Sequence, residues 1–249
     1  MRLLVAVPSY NRPYQIEKRT GYWLKQLKEF DYKVFVEPSE ALYYAQSIGT
    51  DNIVETNDNN GLYGQLIDIG QYAIENGYDL VTKIDDDTYY TNDVFKKKDA
   101  SKVIEQSLKE IVNRFRSVDN LGAIAFSRGM DYFYNKGIGF KPRYKGIYGT
   151  CVCKPEILVK LNRQYKCFAD LMISLKSREM GFDNETYYNC TENSVMLTNE
   201  GGLQSMDRMK ISSETLDMIL RDYPEAKEIH GGKYEGKIKD IDLNFYFKK

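Results

Sequence analysis

Two hydrophobic patterns alternate along the first hundred residues of the chain. Short runs in which nearly every position is apolar predict strands covered on both faces of a sheet. Between them, apolar residues recur every three or four positions, which predicts helices with one buried face. Strands and helices that alternate in this way form a parallel sheet with right-handed crossovers. The predicted strands are residues 3–7, 32–36, 52–55 and 78–84, and the predicted helices are residues 16–27, 39–45 and 62–74.

The second half of the chain continues this pattern less regularly. Its last helix is expected to be capped by Ser212, and the alternation of Ile241, Leu243, Phe245 and Phe247 predicts a final strand with one solvated face. With 249 residues, the chain is long enough for one large domain or two small ones. The further predicted elements are helices at residues 103–115, 170–181 and 212–223 and strands at residues 121–126 and 148–153.

Three consecutive aspartates, Asp85, Asp86 and Asp87, end the apolar run at residues 78–84. If the strand continues to them, Asp85 and Asp87 point to the same side, because side chains alternate along a strand. Hard divalent ions such as Mg2+ and Mn2+ prefer carboxylate oxygens, and ligands of open α/β sheets bind beyond the carboxyl ends of the strands. The run therefore predicts a metal site, although a solvated acidic turn has the same local sequence.

Composition limits the function classes. The formal net charge of −1 gives no global attraction to nucleic acid, so any basic function must be local. The four cysteines form no pair of CxxC motifs of the kind that holds zinc. No apolar run approaches the length of about 18 residues that spans a membrane, and the first run is too short for a signal peptide. These features predict a cytoplasmic protein with no membrane partner.

Residues 128–148 combine basic and aromatic side chains. Between Lys136 and Lys145 there is no acidic residue, and Lys141 and Arg143 lie inside this segment. Cations interleaved with stacking rings suit a nucleic-acid or sugar acceptor, and an ordinary lid loop is an equally good interpretation. Neither the GxGxxG pattern nor a P-loop follows the first strand, so a nucleotide must be held in another way.

Several segments resemble, in order, the motifs of GT-A glycosyltransferases over about residues 1 to 182. Residues 5–12 resemble the opening strand and loop, residues 37–39 the acidic and serine positions near the nucleoside, and residues 84–87 the DxD motif. Asp170 resembles the acidic residue at a helix start that supplies the base in inverting members, although sequence alone favours a helix cap there. The resemblance implies a GT-A type, Rossmann-like mixed sheet flanked by helices. It also implies a single domain, residues 1–249, with a nucleotide-sugar-binding half (1–98) and an acceptor-binding half (99–249).

The resemblance also implies roles for individual residues. Asp85 and Asp87 would hold Mn2+ or Mg2+, and Asp170 would be the catalytic base of an inverting transfer. The single histidine, His230, precedes two glycines and Lys233, similar to a late metal- and phosphate-binding segment of some members. The donor would be a nucleotide-sugar, with a UDP-sugar expected. The residues implied in donor binding are Pro8, Tyr10, Arg12, Glu37, Lys83, Asp85, Asp86 and Lys233.

One position departs from the family. Many members carry an Arg-Asn pair on the helix before the DxD strand, where this chain has Gly64, Gln65 and Leu66. The donor diphosphate must therefore find positive charge elsewhere, and Arg12, Lys83 and Lys233 are the candidates.

The opening residues 8–13, Tyr43 with Tyr44, and the triple aspartate look most like the TET/JBP-associated glycosyltransferases of phages. That resemblance implies an acceptor of 5-hydroxymethylpyrimidine in DNA, met in the host cytoplasm if the protein is phage-encoded. A saccharide, lipid or protein acceptor stays open, as does an inactive GT-A module that binds nucleic acid or a protein partner. A sugar-nucleotide pyrophosphorylase is disfavoured, because residues 8–11 are not the glycine-rich basic loop that it requires.

Overall fold

A mixed β-sheet forms the centre of the protein. The computed structural model describes residues 1–57, 61–91, 101–128, 134–135, 137–143, 146, 149–194, 208–230 and 239–242. Nine strands of the described chain form the main sheet, and two more form a separate antiparallel pair. In chain order the strands are β1 (Leu3–Pro8), β2 (Asp31–Val36), β3 (Ile53–Glu55), β4 (Leu80–Lys83), β5 (Thr88–Thr91), β6 (Leu121–Arg128), β7 (Phe140–Pro142), β8 (Cys151–Cys153), β9 (Asp183–Ser194), β10 (Lys227–His230) and β11 (Lys239–Asp242).

The first strand shows why the apolar runs lie in the middle of the sheet. Its alternate side chains enter two different cores, Leu4 and Ala6 on one face and Leu3, Val5 and Val7 on the other. All five are at most 4% exposed. A strand buried on both faces has no solvated side, so its sequence is continuously apolar rather than alternating.

The strand order is β3-β2-β1-β4-β8-β6-β9-β5, with β7 paired to β9. The first four of these strands are parallel, as the sequence predicts. Strand β8 then inserts antiparallel between β4 and β6, which makes the sheet mixed. Because β8 is antiparallel to both β4 and β6, these two strands run in the same direction. Their carboxyl ends therefore lie at the same edge of the sheet.

Helices cover both faces of the sheet. One core contains apolar residues of α4, α6, α7 and α8, and the other contains residues of α1, α2, α3 and α5. In chain order these helices are α1 (Pro13–Lys18), α2 (Thr20–Leu24), α3 (Ala41–Ile48), α4 (Gly61–Glu75), α5 (Ser101–Ser117), α6 (Pro155–Val159), α7 (Ala169–Glu179) and α8 (Arg208–Asp222).

Three local expectations differ from the structure. The helix predicted at residues 16–27 is broken at Arg19, whose φ of −125° and ψ of −101° are not helical. The chain forms a 3-10 turn at Pro38–Glu40 before α3, and no side chain caps that helix. The last helix begins at Arg208, so Ser212 lies inside it rather than at its start.

The predicted tail strand is partly confirmed. Ile241 lies in β11, which pairs with β10 rather than with the main sheet. Leu243, Phe245 and Phe247 lie outside the described residues. In the part of the chain that the structure describes, no helix has both the length and the apolar character needed to cross a membrane.

Candidate active site

The three aspartates lie at the carboxyl edge of the sheet, in a turn between β4 and β5. The strand ends at Lys83, and Ile84 donates its backbone N–H to the carbonyl oxygen of Ala6 at 3.0 Å. Asp86 and Asp87 then form the turn itself. The strand therefore does not continue to Asp85 and Asp87, and strand alternation does not determine the direction of their side chains.

Asp86 is the buried anchor of this turn. Its Oδ2 accepts a hydrogen bond from the Ser9 hydroxyl at 2.5 Å, and its Oδ1 accepts one from Nη1 of Arg12 at 2.6 Å. Burial raises the pKa of Asp86 to about 6, and the contacts with Arg12 and Ser9 oppose that rise. The loop after β1 is thus tied to the aspartate turn by a charged pair.

Tyr44 of α3 completes this arrangement from the other side. Its hydroxyl shares a hydrogen bond of 2.7 Å with the Ser9 hydroxyl and accepts the backbone N–H of Arg12 at 2.8 Å. Burial raises the pKa of the Tyr44 hydroxyl, which keeps it neutral. Gln65 of α4 donates to the carbonyl oxygen of Ser9 at 3.3 Å. Gln65 is one of the residues that stand where many family members carry an Arg-Asn pair. Here it supports the backbone of the loop and supplies no charge.

Lys83 and Asp85 form the second charged pair, 2.6 Å apart. The Lys83 side chain is 6% exposed, whereas that of Asp85 is 42% exposed. Burial opposes the charge of Lys83, but Asp85 and then Asp170 raise the pKa of its ammonium group. Burial also opposes ionisation of Asp85, but Lys83 outweighs it and lowers the pKa of that carboxyl. Asp85 is therefore an ionised, partly exposed carboxylate.

Asp87 is nearly buried and lies 3.5 Å from Nη1 of Arg12. Arg12 therefore faces two carboxylates, with the shorter contact to Asp86. Burial disfavours the Arg12 charge, but Asp86 and Asp87 together raise the pKa of the guanidinium. Arg12 holds the turn together, so its charge is already balanced by protein groups.

Helix α2 fixes the backbone of the same turn. The Thr20 hydroxyl donates to the carbonyl oxygen of Asp85 at 2.8 Å and accepts the N–H of Thr88 at 3.0 Å. The indole N–H of Trp23 donates to the carbonyl oxygen of Thr88 at 3.1 Å. Thr20 and Trp23, which follow the break at Arg19, thus connect α2 to the backbone on both sides of the turn.

Asp170 lies in the first turn of α7 and is not its cap. The capping position is Phe168, with a left-handed φ of 65°, and no side chain caps the helix. Instead, Oδ2 of Asp170 accepts the backbone N–H of Gly149 at 2.8 Å. Gly149 precedes Thr150 and β8, which pairs with Lys83 through Cys151. The fold therefore brings Asp170 beside the Lys83 and Asp85 pair, and the cap interpretation is wrong.

Two further charged residues of the site are Glu192 and Arg128. Arg128 begins the basic and aromatic segment noted in the sequence, but that pattern did not place it beside the aspartates, and Glu192 carries no signal in the sequence. Glu192 has a fully buried side chain, and its Oε2 accepts the N–H of Thr150 at 2.5 Å. Its Oε1 is 3.8 Å from Nη2 of Arg128 and has no hydrogen-bond partner. Burial raises the pKa of Glu192, and Arg128 opposes the rise. A glutamate in a polar strand segment is ordinary in sequence, so only the packing of β9 against β6 reveals it.

The other predicted donor-binding residues are distributed around this edge. Pro8 is buried at the end of β1, Tyr10 is half-buried in the next loop, and Glu37 is half-buried directly after β2. His230 ends β10, where the structure describes its backbone pairing with Lys239. Lys233 lies outside the described residues.

The charge of the cluster bears on whether a metal fits here. Among the described side chains, five carboxylates meet three cations, so carboxylates outnumber cations at this edge. Asp85 and Asp87 supply the oxygen ligands that Mg2+ and Mn2+ prefer. Within the described chain, no group of three or more metal-binding side chains converges on one point. Two carboxylates of suitable chemistry are therefore present, each already close to a cation, and the other ligands of a metal ion would have to come from elsewhere. The carboxylates are Asp85, Asp86, Asp87, Asp170 and Glu192, and the cations are Arg12, Lys83 and Arg128.

Comparison with known proteins shows the fold and no close relative. No family model matches the sequence, and no curated protein matches it. Among solved structures, a mycobacterial protein is similar with a TM-score of 0.57 at 10% identity, over 97% of this chain and 83% of its own. Glucosyl-3-phosphoglycerate synthase from Mycobacterium tuberculosis is similar in two complexes. The complex with Mn2+, UDP and glucosyl-3-phosphoglycerate has a TM-score of 0.54 at 10% identity, over 92% of this chain and 84% of its own. The complex with Mg2+ and UDP has a TM-score of 0.54 at 11% identity, over 97% and 86%. The chain therefore has the mixed α/β fold of GT-A type that nucleotide-sugar transferases share.

Proposed function

We propose that this protein is a metal-dependent glycosyltransferase that moves a sugar from a nucleotide-sugar, a UDP-sugar, to an acceptor hydroxyl. The observation that carries the proposal is that Asp170 lies near the end of β4, where its charge acts on Lys83. Asp170 contacts Gly149, which leads into the strand paired with β4, and its charge acts on Lys83, the partner of Asp85. Such a transfer needs a metal-binding carboxylate and a general base, and Asp85 and Asp170 are the residues that we assign to these roles.

The donor would bind across the loops that follow β1, β2 and β4. Asp85 and Asp87 would hold Mn2+ or Mg2+, with His230 as a further ligand. The ion would supply Lewis-acid stabilisation of the negative charge on the leaving diphosphate. Pro8, Tyr10 and Glu37 would contact the nucleoside, and Lys233 the phosphates. Arg12 and Asp86 would act by fixing the turn. The synthase similar in fold binds UDP with Mn2+ or Mg2+, which supports this choice of donor and ion.

Asp170 would be the general base. Its Oδ2 is held by the N–H of Gly149, which orients the carboxylate. The proton of the acceptor hydroxyl would pass to Asp170 as the acceptor oxygen bonds to the anomeric carbon. The bond from that carbon to the diphosphate oxygen breaks, and the nucleoside diphosphate leaves. Direct displacement of this kind inverts the anomeric centre.

Binding of the donor is the first test. At a nucleotide-sugar concentration of 100 times Kd, we expect stabilisation of about 2.7 kcal/mol. For a chain of this size that corresponds to a rise in Tm of about 5 to 10 °C. A thermal-shift screen of nucleotide-sugars with Mn2+ and with chelator measures it. If Tm does not rise with any nucleotide-sugar in Mn2+, the protein is better described as an inactive GT-A module that binds nucleic acid or a protein partner. An equal shift in chelator would contradict the metal.

For the acceptor we propose 5-hydroxymethylpyrimidine in DNA, which this protein would meet in the cytoplasm. Lys141 of β7 is exposed and lies level with Lys83 across the sheet, four strands away. Four strand spacings are about 19 Å, which corresponds to about six base pairs of duplex. A base flipped towards Asp85 would therefore leave backbone phosphates within reach of Lys141. Arg143 is half-buried and donates to the carbonyl oxygen of Gly146, so Lys141 is the better probe.

Oligonucleotide length and salt test this acceptor. We expect transfer to a duplex with about ten base pairs on each side of the modified base to weaken steeply with salt. Lys141→Glu is expected to reduce the magnitude of that salt slope by about one. A duplex with about three flanking base pairs, too short to reach Lys141, is expected to be insensitive to the substitution. The matched control is Lys160→Glu, an exposed lysine next to α6.

The DNA acceptor would be replaced if hydroxymethylated DNA is not labelled, or if transfer does not depend on salt and on Lys141. If hydroxymethylated DNA is not labelled from any common UDP-sugar at low salt, the DNA acceptor is wrong. A saccharide, lipid or protein acceptor would then replace it. A neutral saccharide has no use for several cations, so its transfer would respond little to salt or to Lys141→Glu.

A further inference from the structure

The three cations of the active site differ in how much of them a ligand could touch. The side chains of Arg12 and Lys83 are 9% and 6% exposed, and each lies 2.6 Å from a carboxylate. The Arg128 side chain is 33% exposed, and its distance to Glu192 is 3.8 Å. Two of the cations predicted to bind the donor phosphates are therefore buried against aspartates. Arg128 keeps a larger surface towards solvent.

Arg128 also lies at the correct edge of the sheet. It is the last residue of β6, which runs in the same sense as β4 with only β8 between them. Two strand spacings correspond to about 10 Å, a distance that an arginine side chain can largely span. The carboxylate of Asp85 belongs to the same edge and is partly exposed.

Glu192 gives Arg128 a fixed support. The two residues face each other in the register of β6 and β9. The Glu192 carboxylate accepts the N–H of Thr150 and lies close against the backbone of Gly149. A side chain at Gly149 would place its Cβ 2.3 Å from Oε2 of Glu192, and the φ of +80° also favours glycine there. A buried carboxylate needs a cationic partner, so Glu192 draws one edge of the Arg128 guanidinium towards it.

We propose that Arg128, positioned by Glu192, binds a phosphate group of one of the two substrates at this site. The inference rests on the proposed function, because that function brings phosphate-bearing substrates here. A guanidinium has a planar fork of N–H donors that matches phosphate oxygens in a bidentate manner. A third of the Arg128 side chain is exposed, so a ligand can reach the guanidinium beside Glu192. The phosphate is either the diphosphate of the donor or a phosphodiester of the acceptor.

Calorimetric titration with two probes separates these sources. Pyrophosphate with Mn2+ represents the donor, and an unmodified oligothymidylate represents the acceptor backbone. We expect Arg128→Gln to weaken one of the two by about ten- to a hundredfold, the loss typical of a hydrogen bond to a charged group. Arg128→Lys keeps the charge without the fork and is expected to lose part of that affinity. The matched control, Arg178→Gln, removes an arginine that pairs with Asp183 and has a 25% exposed side chain.

The outcomes decide the proposal in both directions. A selective loss for pyrophosphate assigns Arg128 to the donor, and a selective loss for the oligonucleotide assigns it to the acceptor. Unchanged affinity for both probes overturns the proposal, as does a wild-type protein that binds neither. If Arg128→Gln does not fold, Arg128→Lys decides by the same criteria. A protein that binds pyrophosphate through Arg128 but binds no nucleotide-sugar would retain the phosphate site and overturn the proposed function.

A double-mutant cycle tests the part played by Glu192. Glu192→Gln keeps an oxygen for the N–H of Thr150 and removes the charge that holds Arg128. If Glu192 positions Arg128, the loss caused by Arg128→Gln is smaller when Glu192→Gln is already present. Equal losses in both backgrounds would show that Glu192 does not position Arg128.

Discussion

Asp87→Ala is expected to lower sugar transfer by a hundredfold or more and to abolish the metal-dependent part of donor binding. The physical reason is that a metal ion contributes several kcal/mol of charge stabilisation in such a reaction, and each 1.36 kcal/mol is a factor of ten. The fold is expected to survive, because Arg12 keeps its shorter contact with Asp86 at 2.6 Å. Initial rates at saturating Mn2+ and donor binding with and without chelator measure the effect.

Asp68→Ala is the matched control for this substitution. Asp68 is also an aspartate paired with one arginine, Arg163 at 3.1 Å, and its side chain is 15% exposed compared with 11% for Asp87. It is expected to change stability without changing the dependence on Mn2+. Full activity of the Asp87→Ala protein, or full wild-type activity in chelator, would remove the metal from the mechanism.

Asp170→Asn is expected to lower transfer by about a hundredfold or more, the scale on which a positioned general base contributes. Binding of the donor is expected to be unchanged, so the loss appears in kcat rather than in KM. Asparagine retains an oxygen that can accept the N–H of Gly149, and the carboxylate in the first helical turn contributes only about 0.3 to 1 kcal/mol through the helix dipole. Thermal unfolding is therefore expected to change little.

Glu156→Gln is the control for losing a carboxylate in the first turn of a helix. Glu156 is the acidic residue in the first turn of α6, so its substitution removes a similar dipole interaction at a residue outside the proposed site. If Asp170→Asn and Glu156→Gln both transfer sugar at the wild-type rate, Asp170 serves only to hold Gly149. In that case another residue must accept the proton.

The hydrophobic pattern was sufficient to predict an α/β sheet, whereas the mixed sheet of GT-A type was implied by the family resemblance. Strand β1 is apolar at every position from Leu3 to Val7 because both faces of the sheet are covered there, and this is visible without any tertiary contact. The position of the aspartates beyond β4 was also predictable, since the run of apolar residues stops where they begin. The pattern did not predict that β4 ends at Lys83 rather than at Ile84, because either residue can occupy the last position of a strand.

The pairing of charges within the site depended on tertiary structure. Arg12 contacts Asp86 across 74 residues, Gly149 contacts Asp170 across 21, and Thr150 contacts Glu192 across 42. Such pairs depend on the strand order, and the insertion of β8 between β4 and β6 is not written in any local period. Because these pairs are not visible in the sequence, Lys83 and Arg12 were predicted as phosphate ligands from their charge alone.

The sequence by itself determined that a row of carboxylates stands at the carboxyl edge of an α/β sheet. Only the tertiary structure decided which carboxylates of the site, Glu192 included, have a cationic partner and how exposed each one is. Asp86 is held by Arg12 and Ser9, Asp85 remains partly exposed beside Lys83, and Glu192 is buried next to Arg128. The reason is that local sequence fixes the type and direction of each element, whereas the burial and partner of a charge depend on which elements the sheet places next to one another.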